Sequence, residues 1–183
     1  MQSETNDLSY PIGKQSQWHA QFATYNEAAK NEMINDIKML PNALEIAVQN
    51  LNEEQLQTPY RPGGWTVHQL VHHVADSHIN AYMRFKLGLT ENNPTIKPYH
   101  QDTWALLSDT KKLPINISLT LLHALHTRWC QLLVDIKPEQ WERTIFHPDL
   151  KKELTLWHLL KIYSWHSVHH TAHINNLRER MKW

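Results

Sequence analysis

Glycine is nearly absent from this chain. Only Gly13, Gly63, Gly64 and Gly88 occur among its 183 residues, so neither a glycine-rich dinucleotide fingerprint nor a phosphate-cradling loop can be written. Cysteine is scarcer still. Cys130 stands alone, which excludes an internal disulfide and reads as a buried small hydrophobe. Net charge is missing too: 18 basic residues offset 18 acidic ones, leaving no basic footprint for nucleic acid or anionic lipid. No apolar run approaches the roughly 20 residues that span a bilayer. The start, MQSETNDLSY, has neither the basic opening nor the apolar core of a signal peptide. The expectation is a cytoplasmic protein with no nucleic-acid or membrane partner, of a length that suits one domain, 1–183.

What the chain has instead is histidine, fourteen of them. Histidine is the commonest metal ligand and the side chain that titrates nearest neutrality, so its placement matters most. Punctuation by proline and glycine divides the chain into long periodic segments, with no internal repeat and no low-complexity tract. Residues 1–22 read as an extended arm packing over the body, because Pro11 and Gly13 break any helix. A helix follows over about 26–51, with Pro41 kinking it or marking its second half. TPYRPGGW (58–65) is a turn, and Thr66 is the N-cap of a second helix reaching about Leu89. The proline-dotted stretch ENNPTIKPYHQDTW (91–104) is too long for a tight hairpin and predicts a crossover, with a short helix near Thr103–Leu107. Ser118 is expected to cap a third helix, 118–136. Residues 142–156 accommodate a small β-hairpin, and Thr155 opens a last helix to about Arg180. Four long amphipathic segments predict an all-α fold, an antiparallel four-helix bundle with a crossover connection.

The last helix carries WHSVHHTAHI (165–174). At 100° per residue, Leu159, Ile162, Tyr163, His166, His170, His173 and Leu177 share one stripe, with His169 at its edge. Three histidines therefore point inward among leucines. A buried imidazole needs a hydrogen-bond partner or a metal, since leaving it unpaired costs about 1–3 kcal/mol. The i, i+4 pair His166/His170 suits one ion, and a third ligand must come from elsewhere. The second helix offers His68, His72, His73 and His78. His68 and His72 fall on its polar back. His73 lies at the margin of the apolar stripe and His78 at its centre, and the pattern does not choose between them.

Other histidines have plainer readings. His68, His72, His100 and His147 read as solvated surface, and His123, His126 and His158 as packing or surface. Trp65, Trp104, Trp129, Trp157 and Trp165 read as core or rim packing. A zinc peptidase helix would place Glu directly after the first histidine; here that position is Ser167, which argues against a peptidase.

PGGWTVHQLVHHVADSHINAYMRFK (62–86) and YSWHSVHHTAHINNLRER (163–180) resemble the DinB/YfiT-like superfamily, specifically its YfiT-type metal-dependent hydrolases. LSYPIG, PTIKPYHQDTW and HPDL are similar to the same subgroup. The resemblance implies a four-helix bundle holding one divalent metal, zinc first or nickel, on three histidines. Carried over by position, these are His73, His166 and His170, which makes His78 and His173 supporting residues. It also implies a homodimer.

Three nitrogen ligands leave a coordination position open, the catalytic form of such a site. Hydrolysis of a small-molecule substrate by activated water is the first expectation. Relatives that use low-molecular-weight thiols such as bacillithiol or mycothiol make S-transfer the second, favoured by the lack of an obvious carboxylate base: Asp76 counts to the far side of its helix. A non-catalytic, metal-stapled stress protein is the third.

Overall fold

The computed structural model describes residues 8–183; the first part of the expected arm, residues 1–7, lies outside them. From residue 8 the arm is a series of turns with a 3-10 turn at Gln15–Gln17 rather than extended chain. It does pack over the body. Buried indole N–H groups need acceptors, and Trp165 donates to the Gly13 carbonyl (3.0 Å), Trp18 to Ser164 Oγ (2.8 Å) and Trp157 to the Phe22 carbonyl (3.0 Å).

Helix α1 (Glu27–Val48) begins at Asn26, whose side chain accepts from the Ala29 amide, and runs through Pro41 without stopping. It ends before the expected Leu51, and a single turn, α2 (Glu53–Leu56), follows. Helix α3 (Val67–Thr90) opens at Thr66 as expected, with Gln69 completing a capping box. The crossover holds two short helices, α4 (Gln101–Trp104) and α5 (Ser108–Lys112), instead of one near Thr103–Leu107. Helix α6 spans Asn116–Val134. Ser118 therefore lies inside α6 and does not cap it. The hairpin is present as β1 (Thr144–His147) paired antiparallel with β2 (Lys152–Thr155). Thr155 accepts from the His158 amide and opens α7 (Leu156–Met181). Among the described residues no helix is long and apolar enough to cross a membrane.

The four long helices form the bundle, but not a simply antiparallel one. Each of α1 and α3 packs against both α6 and α7. His72 meets Ser118 and His78 meets His126, so α3 and α6 run parallel. Asp36 meets Ser164 and the Ala47 carbonyl meets Arg178, so α1 and α7 are parallel as well. Antiparallel order holds for α3 with α7 and for α1 with α6. Going from α3 to a parallel α6 requires returning the whole helix length, about 36 Å at 1.5 Å per residue. The long crossover supplies that reach by running back along the outside of α3.

That course overturns the surface reading of His68 and His72, which are 8% and 6% exposed. His68 Nε2 donates to the Thr110 carbonyl (2.8 Å). His72 Nε2 donates to the Leu113 carbonyl (3.2 Å) while its Nδ1 accepts from Ser118 Oγ (2.8 Å). Gln69 adds a bond to the Ala105 carbonyl (3.1 Å). The polar back of α3 is polar because it binds crossover backbone. The apolar core divides into two clusters, one around Phe85, Trp129, Trp141 and Trp157, the other around Leu44, Leu70, Val74 and Leu122. A layer of histidines lies between them in sequence on α3, α6 and α7.

Replacing Ser118 with Ala leaves His72 Nδ1 without its donor inside the α3–α6 contact. Urea denaturation should show a loss of about 1–2 kcal/mol; an unchanged midpoint would mean that the bond contributes nothing.

Candidate metal centre

His73 sits two turns into α3, and antiparallel α7 brings His166 and His170 opposite it. One ligand nitrogen from each of the three lies within 4.8 Å of the others. The ring of His73 is 5.4 Å from that of His166 and 5.1 Å from that of His170. All three line a cavity of about 310 Å³ walled by the Tyr60–Trp65 turn, Trp165, His169 and two crossover residues, Gln101 and Asp102. His78 does not line it.

Proton accounting explains why. Pro41 has no N–H, so the Ile37 carbonyl four residues earlier loses its helical donor. His126 Nδ1 fills the gap at 2.6 Å. A carbonyl only accepts, so His126 carries its proton on Nδ1 and offers Nε2 as an acceptor. His78 Nδ1 donates to that nitrogen (2.9 Å), leaving His78 Nε2 to accept from His166 Nδ1 (3.0 Å). With its proton on Nδ1, His166 has only a lone pair on Nε2, which accepts from His170 Nε2 (3.1 Å); the lone pair of His170 is then on Nδ1, which is buried without a partner. His78 is thus occupied on both nitrogens, whereas His73 makes no hydrogen bond and faces the cavity.

Burial keeps these imidazoles neutral. It pushes His73 and His126 down to about 4 and holds His78, His166 and His170 well below the usual imidazole range. Neutral imidazoles, His73 with no hydrogen bond and His170 with an orphaned buried nitrogen, fit a divalent cation of borderline character such as zinc or nickel.

A second group overlaps the first: His169, His170 and His173 also bring ligand atoms within 4.8 Å. There His169 and His173 share an Nε2–Nε2 hydrogen bond (3.0 Å), His169 stacks on Trp165 (3.9 Å) and His173 lies against Tyr60 (4.2 Å). The two groups share His170. His173 therefore sits beside the trio through His170 and His169.

The remaining positions divide. His100 is exposed, His123 contacts Glu45 (3.2 Å), and His147 and His158 are half-buried. Trp129 and Trp157 are core and Trp104 is exposed, but Trp65 and Trp165 are cavity wall as well as packing. Cys130 is buried, as expected. Ser167 Oγ is spent on the Tyr163 carbonyl (2.7 Å). Asp76 lies outside the cavity lining, and burial together with Asp109 raises its carboxyl to about 6. Asp102 was not foreseen. It is the one carboxylate among the described lining residues, on an aperiodic segment where helical counting assigns no face.

Two measurements follow from this geometry. In metal-free protein, long-range ¹⁵N–¹H spectra should show His126, His78 and His166 all protonated on Nδ1, and His78→Phe should weaken divalent-metal affinity about 10–100-fold. An Nε2–H form at any of the three breaks the chain. Secondly, histidines whose folded pKa lies below the unfolded 6.5 contribute stability that is full above that pH and is lost on acidification toward about 4. His73 alone accounts for roughly 3 kcal/mol by pH 4 at 1.36 kcal/mol per unit. The melting temperature of metal-free protein should therefore fall steeply between about pH 6.5 and 4; a flat profile would contradict burial of neutral imidazoles.

Comparison with known proteins agrees with the fold. A family model of the DinB superfamily matches residues 37–174. A protein of Bacillus cereus (strain AH820) named "Putative metal-dependent hydrolase" is 51% identical over 182 residues, covering 97% of this chain and 99% of its own. One of Bacillus mycoides (strain KBAB4) with the same description is 49% identical over 177 residues, with the same coverage of both chains. Among solved structures, YfiT from Bacillus subtilis, described as "a probable metal-dependent hydrolase with an unusual four-helix bundle topology", superposes with a TM-score of 0.91 at 45% identity, covering 96% of this chain and 98% of that one. On sequence and architecture alike, the chain belongs to the DinB superfamily.

Proposed function

We propose that this chain is a metal-dependent hydrolase of small molecules, with its cation held by His73, His166 and His170. The observation that carries the reading is the cavity itself. Three lone-pair-bearing histidines and the Asp102 carboxylate line the same cavity. His73, His166 and His170 would hold a divalent cation, which when bound would supply Lewis acidity and make water a better nucleophile near neutral pH. Asp102, which lines the same cavity, would take a proton from the attacking water and return it to the leaving group. Tyr60, Trp65 and Trp165 give apolar faces against which an acyl group packs. The relatives' descriptions as metal-dependent hydrolases point the same way. A carboxylate in the wall also removes the reason for preferring S-transfer from a low-molecular-weight thiol, which was the lack of a base. Zinc is the first choice of cation, and nickel suits the same nitrogens.

The test is a panel of esters and amides assayed with metal-loaded protein, with and without added thiol. Asp102→Asn should keep its metal and lose about 10²–10⁴ in kcat. His73→Ala, His166→Ala and His170→Ala should each lose metal and turnover together. Turnover only with thiol present would replace hydrolysis by S-transfer. Metal retained in His73→Ala but lost from His173→Ala would move the cation to the neighbouring histidine group.

A further inference from the structure

A second cavity, of about 250 Å³, adjoins the candidate metal centre. It lies between α3, the crossover, the turn of the hairpin and α7, and His166 lines both cavities. Arg84 stands in its wall with Ser77, Tyr99, His147 and Tyr163. The guanidinium is under-used. Its Nη1 donates to Tyr163 Oη (2.8 Å), while its Nε is buried with no partner. Among the described residues Arg84 forms no ion pair, although Asp149 lines the same cavity. A half-buried cation that lines a cavity and holds one buried N–H without a partner carries a desolvation cost that an anion beside it would offset.

From this we propose that the Arg84 cleft binds the carboxylate of a substrate whose reacting group extends to the His73–His166–His170 wall. The inference rests on the proposed function for its second half only; the anion site stands on Arg84's own contacts. Charge selects a monoanion. Arg84 is the single cation among the described residues of the cleft, because burial and the guanidinium itself lower the pKa of His147. Asp149 at the rim reduces the positive potential further. A phosphate dianion would find one positive charge where it needs more, whereas a carboxylate matches the planar N–H fork. Tyr163 Oη accepts from Arg84 Nη1 and keeps its own proton to donate to the second oxygen, and Tyr99 lines the same cleft. The substrates implied are small acids carrying a hydrolysable bond a few atoms from the carboxylate.

Metal-stripped, full-length protein separates this site from the metal. Butyrate should bind and perturb the Arg84 Nε–H resonance, while its neutral isostere butyramide should not. Arg84→Met should weaken butyrate binding by at least about tenfold, and Arg84→Lys, keeping charge without the fork, should fall between. A matching melting profile for Arg84→Lys guards against loss of fold. Equal binding of butyrate and butyramide, or butyrate binding unchanged in Arg84→Met, overturns the proposal, as does tighter binding of inorganic phosphate than of butyrate. If butyrate binds as expected but no ester or amide is turned over by the metal-loaded protein, the proposed hydrolysis fails and the anion site stands.

Discussion

One carbonyl organises the centre of this bundle. Pro41 deprives the Ile37 oxygen of its helical donor, and that oxygen accepts from His126, which accepts from His78, which accepts from His166. Each of the four long helices contributes one member: α1 the carbonyl, α6 His126, α3 His78 and α7 His166. A neutral imidazole has one proton and one lone pair, so each link dictates the next. The chain continues to His170, whose Nε2 donates to His166 and whose Nδ1 is left without a partner at the cavity end. Sliding any helix by a turn would strand a buried nitrogen at a cost of about 1–3 kcal/mol. The apolar clusters on either side supply most of the burial, but non-directional burial does not set a register; this polar chain does.

The parallel placement of α3 and α6 has consequences outside the core. It forces the connecting segment to travel the full length of α3, and that segment then supplies what four helices alone cannot. It covers His68 and His72, contributes Gln101 and Asp102 to the first cavity, and helps close the cleft around Arg84. An up-and-down bundle with short loops would keep His73, His166 and His170 on facing helices yet leave them without Asp102. Topology and chemistry meet in the crossover.

Much of this was legible in the sequence because it depends on local rules. The caps at Thr66 and Thr155, the hairpin before the last helix, and the inward face of His166, His170 and His173 follow from neighbours within a few residues. What periodicity missed has a common cause. It reports which side of a helix faces the bundle axis and is silent about what covers the other side, so His68 and His72 read as solvated. Nor could it divide His73 from His78, since both point inward; the difference lies in His126, forty-eight positions from His78 along the chain. Asp102 and Arg84 escaped notice for a related reason. One lies on an aperiodic segment, and the other looks like any surface cation until its missing counter-charge is seen.

The histidines are best sorted by what their second nitrogen does. His78 and His126 have both nitrogens spent, which makes them structural. His166 has Nδ1 tied to His78 and Nε2 to His170 on the cavity side, and His73 has neither nitrogen tied. His170 has an orphaned Nδ1, and so does its neighbour His169. A partly satisfied polar network in a low-dielectric interior is costly, and in the chain from His126 through His78 and His166 to His170 the unpaired nitrogen is the last one, at the cavity end. A cation accepting the free lone pairs would remove that cost without disturbing the chain behind it. Fold stability and metal occupancy would then be coupled reciprocally through the same nitrogens, and the hydrogen-bond chain back to the Ile37 carbonyl would be part of that linkage.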